Sequence, residues 1–102
     1  MRPIDEQVIL VTGATDGLGR ALAQDLAARG ATVLLHGRDA TRGETAMREI
    51  REATGSDRLA FHRADFSSLE QVRALAEAIL ADHDRLDVLV NNAGIGSGGR
   101  AA

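Results

Sequence analysis

The residues best suited to chemistry are three spaced glycines, Gly13, Gly17 and Gly19, which follow the apolar run Val8-Ile9-Leu10-Val11. Without a β-carbon, these positions let the backbone turn tightly, approach a ligand closely and pack the next helix against the preceding strand. The amides of such a loop, together with the unpaired N–H groups and positive pole of the helix after it, hold an anion without a dedicated cation. Strand, phosphate loop and helix in this order predict a dinucleotide site. The spacing is G-x-x-x-G-x-G. It differs from G-x-G-x-x-G and from the P-loop, whose terminal lysine is absent here along with every other lysine. Glycine-rich turns also serve flavin sites, S-adenosylmethionine sites and structural corners, so these alternatives stay open at this point.

Three further clusters bear on the same site. Gly37-Arg38-Asp39 stands about 20 residues beyond the loop, where a dinucleotide's adenosine ribose lies. A carboxylate at that strand end would bond the ribose hydroxyls and repel a 2′-phosphate, whereas an arginine would pair with the phosphate. The end position is Gly37 and Arg38 comes next, which favours NADP over NAD; the competing reading of Arg38 is a solvated loop residue. Asp65 and Phe66 end a third strand, where a carboxylate can accept from the adenine amino group and an aromatic ring can line the base; a turn-forming Asp is the alternative. Asn91-Asn92-Ala93-Gly94 ends a fourth strand with two amides and two very small residues, leaving room for a cofactor across the strand tips, or else forming a plain turn.

Elements must bring these clusters to one edge. Residues 8–11 read as a strand covered on both faces, because no polar residue alternates with the apolar ones. Leu18, Leu22 and Leu26 recur every fourth residue and predict a helix with that face inward, capped by Gly30. Residues 31–36 predict a second strand. Asp39 suits the N-cap of a helix to about residue 54, with Ala46, Met47, Ile50 and Ala53 on its inner side. Residues 58–64 predict an outer third strand, and Ser67-Ser68-Leu69-Glu70 has the form of a capping box opening a helix on Leu69, Val72, Leu75, Ala76, Ile79 and Leu80. Residues 86–90 predict a fourth strand, central in its sheet. Strands alternating with helices in right-handed crossovers give a parallel α/β sheet. His36, His62 and His83 have no mutual spacing that implies a ligand set.

Composition removes other classes. A chain of 102 residues, 44% hydrophobic, accommodates one small domain. A net charge of -3 with twelve arginines among fifteen acids gives no basic field for nucleic acid. No cysteine means no disulfide framework, thiolate nucleophile or zinc-thiolate site, which fits a cytoplasmic location. No apolar run approaches the roughly 20 residues of a membrane span, so no membrane association is expected.

Joined to Thr12-Gly13-x-x-x-Gly17-x-Gly19, the tetrapeptide Asn91-Asn92-Ala93-Gly94 resembles the short-chain dehydrogenase/reductase family, and Gly37-Arg38 is similar to its retinol-dehydrogenase-like, NADP-preferring branch. The resemblance implies the N-terminal half of a Rossmann-type doubly wound parallel sheet: four strands in order 3-2-1-4 with three helices, a single dinucleotide-binding domain over 1–102. It implies that Gly13, Thr15, Asp16, Gly17, Leu18 and Gly19 line the pyrophosphate and Arg38 the 2′-phosphate. Asp65 and Phe66 would flank adenine; Asn92, Ala93 and Gly94 would contact the nicotinamide-side ribose; Thr12 and Asn91 would tie the first and fourth strands. The expected substrate is a small carbonyl or alcohol compound. A homo-oligomer stays open, since the family's usual subunit contacts use later helices.

One departure limits this. The family reacts through a Tyr-x-x-x-Lys pair, and this sequence has no tyrosine and no lysine. No catalytic residue is assigned, and the expectation is the cofactor-binding portion of a longer enzyme. A non-catalytic dinucleotide-binding module is the alternative. An S-adenosylmethionine-dependent transferase shares the glycine-rich turn but gives no reason for Asn91-Asn92-Ala93-Gly94.

Overall fold

Strand β1 (Val8–Val11) is buried at every position, as an apolar run with no alternation requires, in a computed structural model that describes residues 2–65, 69–83 and 85–92. A 3-10 turn at Ile4–Glu6 leads into it. The chain continues through α1 (Gly17–Ala28), β2 (Thr32–Gly37), α2 (Ala40–Thr54), β3 (Leu59–Arg63), α3 (Leu69–Asp82) and β4 (Val88–Val90). The strands form one parallel sheet in the order β3-β2-β1-β4, the order the family resemblance implies.

Helices cover both faces. Ile9, Val11, Val33 and Leu35 point to one side and pack with Ala23, Ala27, Ala46 and Ile50 of α1 and α2. Val8, Leu10 and Leu34 point to the other and pack with Leu75 and Ile79 of α3. The period-two alternation of a strand thus supplies two separate cores from one apolar run.

Five sequence expectations need correction. The inward face of α1 is Gly19, Ala23 and Ala27, one residue off the leucine stripe, and Leu18 is 72% exposed. Small residues let α1 approach the sheet closely, and that proximity outweighs the burial of larger side chains farther out. On α2, Ala53 is exposed while Gly43 faces inward; on α3, Leu75 and Ile79 are buried but Ala76 and Leu80 are exposed. Strand β2 sits one residue later than predicted, because Gly37 still pairs with Arg63. Strand β4 begins two residues late and, among the described residues, is an outer strand with Leu89 57% exposed. Just before it, Asp87 pairs with Val8 on both sides: its N–H donates to the Val8 carbonyl at 2.9 Å and its carboxylate accepts from the Val8 N–H at 2.8 Å.

Both ends of α2 follow from local chemistry, the first as expected. The Asp39 carboxylate accepts from the amides of Thr41 and Arg42 at 2.9 and 3.2 Å, and Gly55 closes α2 at φ 75°. Ser67 and the capping box it would open lie outside the described residues. Among the described residues, no helix is long and apolar enough to cross a membrane.

Candidate functional site

Every strand runs the same way, so the loops after β1, β2, β3 and β4 share the carboxyl edge of the sheet, where doubly wound folds take their ligands. The segment between β1 and α1 bends at Gly13 (φ 62°) and Gly17 (φ 60°), a left-handed backbone that L side chains rarely adopt. A β-carbon at Gly17 would meet only open space, so glycine is there for conformation. At Gly19 the reason is proximity: a β-carbon would run into the carbonyl of Gly13 and stand 2.6 Å from Asn92 Nδ2.

The first turn of α1 is available to an anion. Asp16 occupies the N-cap position, yet its side chain caps no amide, and no acidic residue follows in the first turn. Its carboxylate lies 3.3 Å from Arg42 Nη1 instead, both side chains well exposed. Thr15 packs over the end of β2, where its Cγ2 would stand 2.5 Å from any β-carbon on Gly37. Any side chain there would first have to displace the Thr15 methyl, and as it stands the strand end carries no carboxylate that would select against a 2′-phosphate. Arg38, next in the chain, is exposed and makes no ion pair with another described residue.

The tip of β4 is bound to the loop. Thr12 N–H donates to the Val90 carbonyl at 3.0 Å, and the Thr12 hydroxyl accepts from Asn92 N–H at 2.8 Å. That hydroxyl also lies 3.2 Å from the Val90 carbonyl and 3.3 Å from Asn91 Oδ1. The Asn92 side-chain amide donates to the Gly13 carbonyl at 3.1 Å. Thr12 and Asn91 thus join the first and fourth strands, and Asn92 reaches the glycine loop itself. Asp65, half-buried at the end of β3, donates its backbone N–H to Gln71 Oε1 at 2.7 Å, which anchors the start of α3 there. Phe66, Ala93 and Gly94 lie outside the described residues.

The structure therefore brings Gly13, Gly19 and Asn92 into direct contact and sets Thr15 against Gly37, beside Arg38. Leu18 stands exposed at the loop, an apolar side chain at the mouth of an otherwise polar edge. Sequence reasoning passed over His36 and Gln71. His36 is 3% exposed, and burial lowers its pKa below the ordinary 6.5; the Ala64 carbonyl works the other way, and Arg38 adds to the lowering. The signal was present in principle: a ring with two polar nitrogens, at the carboxyl end of an apolar strand, must find partners inside. No group of histidines and carboxylates among the described residues forms a metal site.

Residues 7–102 match the family described as short chain dehydrogenase. Human "Dehydrogenase/reductase SDR family member 13" is 46% identical over 91 residues, a match covering 89% of this chain and 24% of that protein. Human "Retinol dehydrogenase 11" is 42% identical over 89 residues, covering 87% and 28%. A solved metagenomic short-chain oxidoreductase in complex with NADP superposes at a TM-score of 0.80 with 44% identity, over 86% of this chain and 39% of its own. This chain spans 24 to 28% of the length of those two curated relatives. From the breadth of the family match and the likeness to solved members, the chain belongs to the short-chain dehydrogenase family.

Proposed function

We propose that this chain is the cofactor-holding segment of an NADP-dependent oxidoreductase that moves hydride between a nicotinamide dinucleotide and a carbonyl or alcohol. The observation that carries the reading is the uncapped first turn of α1, with open space at Gly17, at the carboxyl tips of the parallel strands. The residues fit the group. Backbone amides from Thr15 to Gly19 would face the diphosphate, with the helix pole favouring its charge. Arg38 would take the 2′-phosphate, Asp65 and Phe66 would border adenine, and Asn92, Ala93 and Gly94 would hold the ribose beside nicotinamide. The exposed Leu18 would cover apolar surface of the cofactor. When bound, the nicotinamide ring supplies or takes up the hydride; the residues of this chain hold and orient it.

Support for the phosphate-bearing cofactor comes from Gly37 and Arg38: the strand end carries no carboxylate, and an exposed cation follows it. The relative solved with NADP is in keeping with this. A second reading, a dinucleotide-binding module without catalysis, is favoured by the absence of tyrosine and lysine. A cytoplasmic location belongs to the same proposal, in line with the cysteine-free sequence. Titration with NADPH, NADH and S-adenosylmethionine, followed by fluorescence or calorimetry, tests the class. NADPH should bind most tightly; preferential binding of S-adenosylmethionine, or of none, would overturn the reading. Hydride-transfer assays on the same protein separate the enzyme from the module.

A further inference from the structure

A buried histidine joins three segments at the carboxyl edge. His36 Nδ1 lies 3.1 Å from the Gly13 N–H, and His36 Nε2 lies 2.8 Å from the Ala64 carbonyl oxygen. The Gly13 amide can only donate, so Nδ1 must be bare; the Ala64 carbonyl can only accept, so Nε2 must carry the proton. Together these contacts select the neutral Nε2–H tautomer. The His36 backbone carbonyl takes the next amide, Ala14 N–H, at 2.8 Å. Two consecutive amides at the start of the glycine loop are thus committed to one residue of β2, and the loop's left-handed bend at Gly13 is fixed between them.

We propose that His36 is a positioning residue for the dinucleotide loop: as the Nε2–H tautomer it sets the Gly13-Ala14 turn, and a second proton on Nδ1 withdraws Gly13's acceptor and weakens dinucleotide binding. The inference rests on the dinucleotide reading above. Protonation would place two N–H groups face to face at the first residue of the loop, whose carbonyl holds Asn92 and whose neighbourhood receives Gly19. The disturbance therefore reaches both the tip of β4 and the approach of α1. Charged or titratable groups on the surrounding elements are Asp16 in the loop, Arg38 and Asp39 beyond β2, His62, Arg63 and Asp65 on or just after β3, Glu70, Arg73, Glu77 and Asp82 in α3, and His83 after it, Asp82 and His83 acting on His62. Arg38 opposes charging of the ring, as burial does more strongly, so the change falls below pH 6.5. His62, opposite His36 in register, also titrates below 6.5 because burial disfavours its charge. The test must separate the two rings.

Affinity for NADPH and for NADH is measured from about pH 8 to about pH 5, the range over which imidazoles change charge, on the wild-type chain, His36→Asn and His36→Leu. Asparagine carries an acceptor near the Nδ1 position but takes up no proton; leucine offers none. Wild type should lose about tenfold in affinity on acidification, beyond the change common to all three proteins. That common part contains the titration of the cofactor's own 2′-phosphate, near about pH 6 as for phosphate monoesters. His36→Asn should bind within about threefold of wild type at pH 8 without the extra acid loss, and His36→Leu should be weaker by about tenfold throughout, as for a buried amide left without its partner. Long-range proton–nitrogen correlation of the wild-type ring should place the proton on Nε2 at pH 8. A proton on Nδ1, or an acid loss unchanged in His36→Asn, overturns the inference while leaving dinucleotide binding intact. No binding by wild type at pH 8 overturns the dinucleotide reading and this inference with it.

Discussion

The side-chain amide of Asn92 donates to the carbonyl oxygen of Gly13 across 3.1 Å, so residues 79 positions apart in the chain meet at the carboxyl edge of the sheet. Gly19 sits directly beneath that bond. A Gly19→Ala substitution would drive its methyl into the Gly13 carbonyl and Asn92, and should destabilise the fold by about 1–3 kcal/mol, the usual cost of overpacking. Urea denaturation reads the loss. Adding Asn92→Ala should not restore stability, since the nearer obstruction is the Gly13 carbonyl.

Arg38 tests cofactor choice. Arg38→Ala should weaken NADPH by roughly 1.5 to 3 kcal/mol, the worth of a charge-assisted hydrogen bond, and leave NADH nearly unchanged. Parallel titrations check this. Equal losses for both cofactors would remove Arg38 from the 2′-phosphate.

The seam between α2 and β3 makes a separate prediction about stability. A β-carbon at Gly43 would run into the ring of Phe61. Gly43→Ala should therefore cost about 1–3 kcal/mol. Phe61→Ala in the same chain opens the space, so the double variant should be more stable than the sum of the two single losses, a coupling that a double-mutant cycle measures by denaturant midpoint. Additive losses would show that α2 shifts freely on the sheet.

At the opposite edge, Asp87 makes a pH-dependent contribution to stability. Its carboxylate accepts from Val8 N–H at 2.8 Å and from Arg85 Nε at 3.1 and 3.2 Å, while Arg85 Nη2 reaches the Glu6 carbonyl at 2.6 Å. The Val8 amide, then Arg85 and Arg2, hold its pKa below the ordinary 3.8 against the opposing effect of desolvation. A carboxylate lowered in the folded state contributes stability that is present above its unfolded pKa and lost as pH falls through its folded one. Asp87→Asn should therefore be less stable than wild type near neutral pH, with the gap closing below about pH 4, the unfolded carboxylate range. Urea midpoints across that range check the sign; a gap that widens in acid would refute it.

Much of this was legible from residue types alone. The unalternating run Val8–Val11 announced a strand covered on both sides, the carboxylate of Asp39 announced a helix start, and the spaced glycines announced a tight loop, because each of these is decided within a few residues of chain by sterics and local hydrogen bonding. The parallel sense of the strands followed from right-handed crossovers, and their order from the family resemblance. Packing distance decided the rest. The inner face of α1 fell on Gly19, Ala23 and Ala27 rather than on the leucines because helix and sheet approach until backbone limits them, a quantity no periodicity contains. The crowding at Gly37 is set by the Thr15 methyl, and the tautomer of His36 by a glycine 23 residues before it and an alanine 28 residues after it. Those partners are chosen by strand register, which exists only once the chain has closed into a sheet.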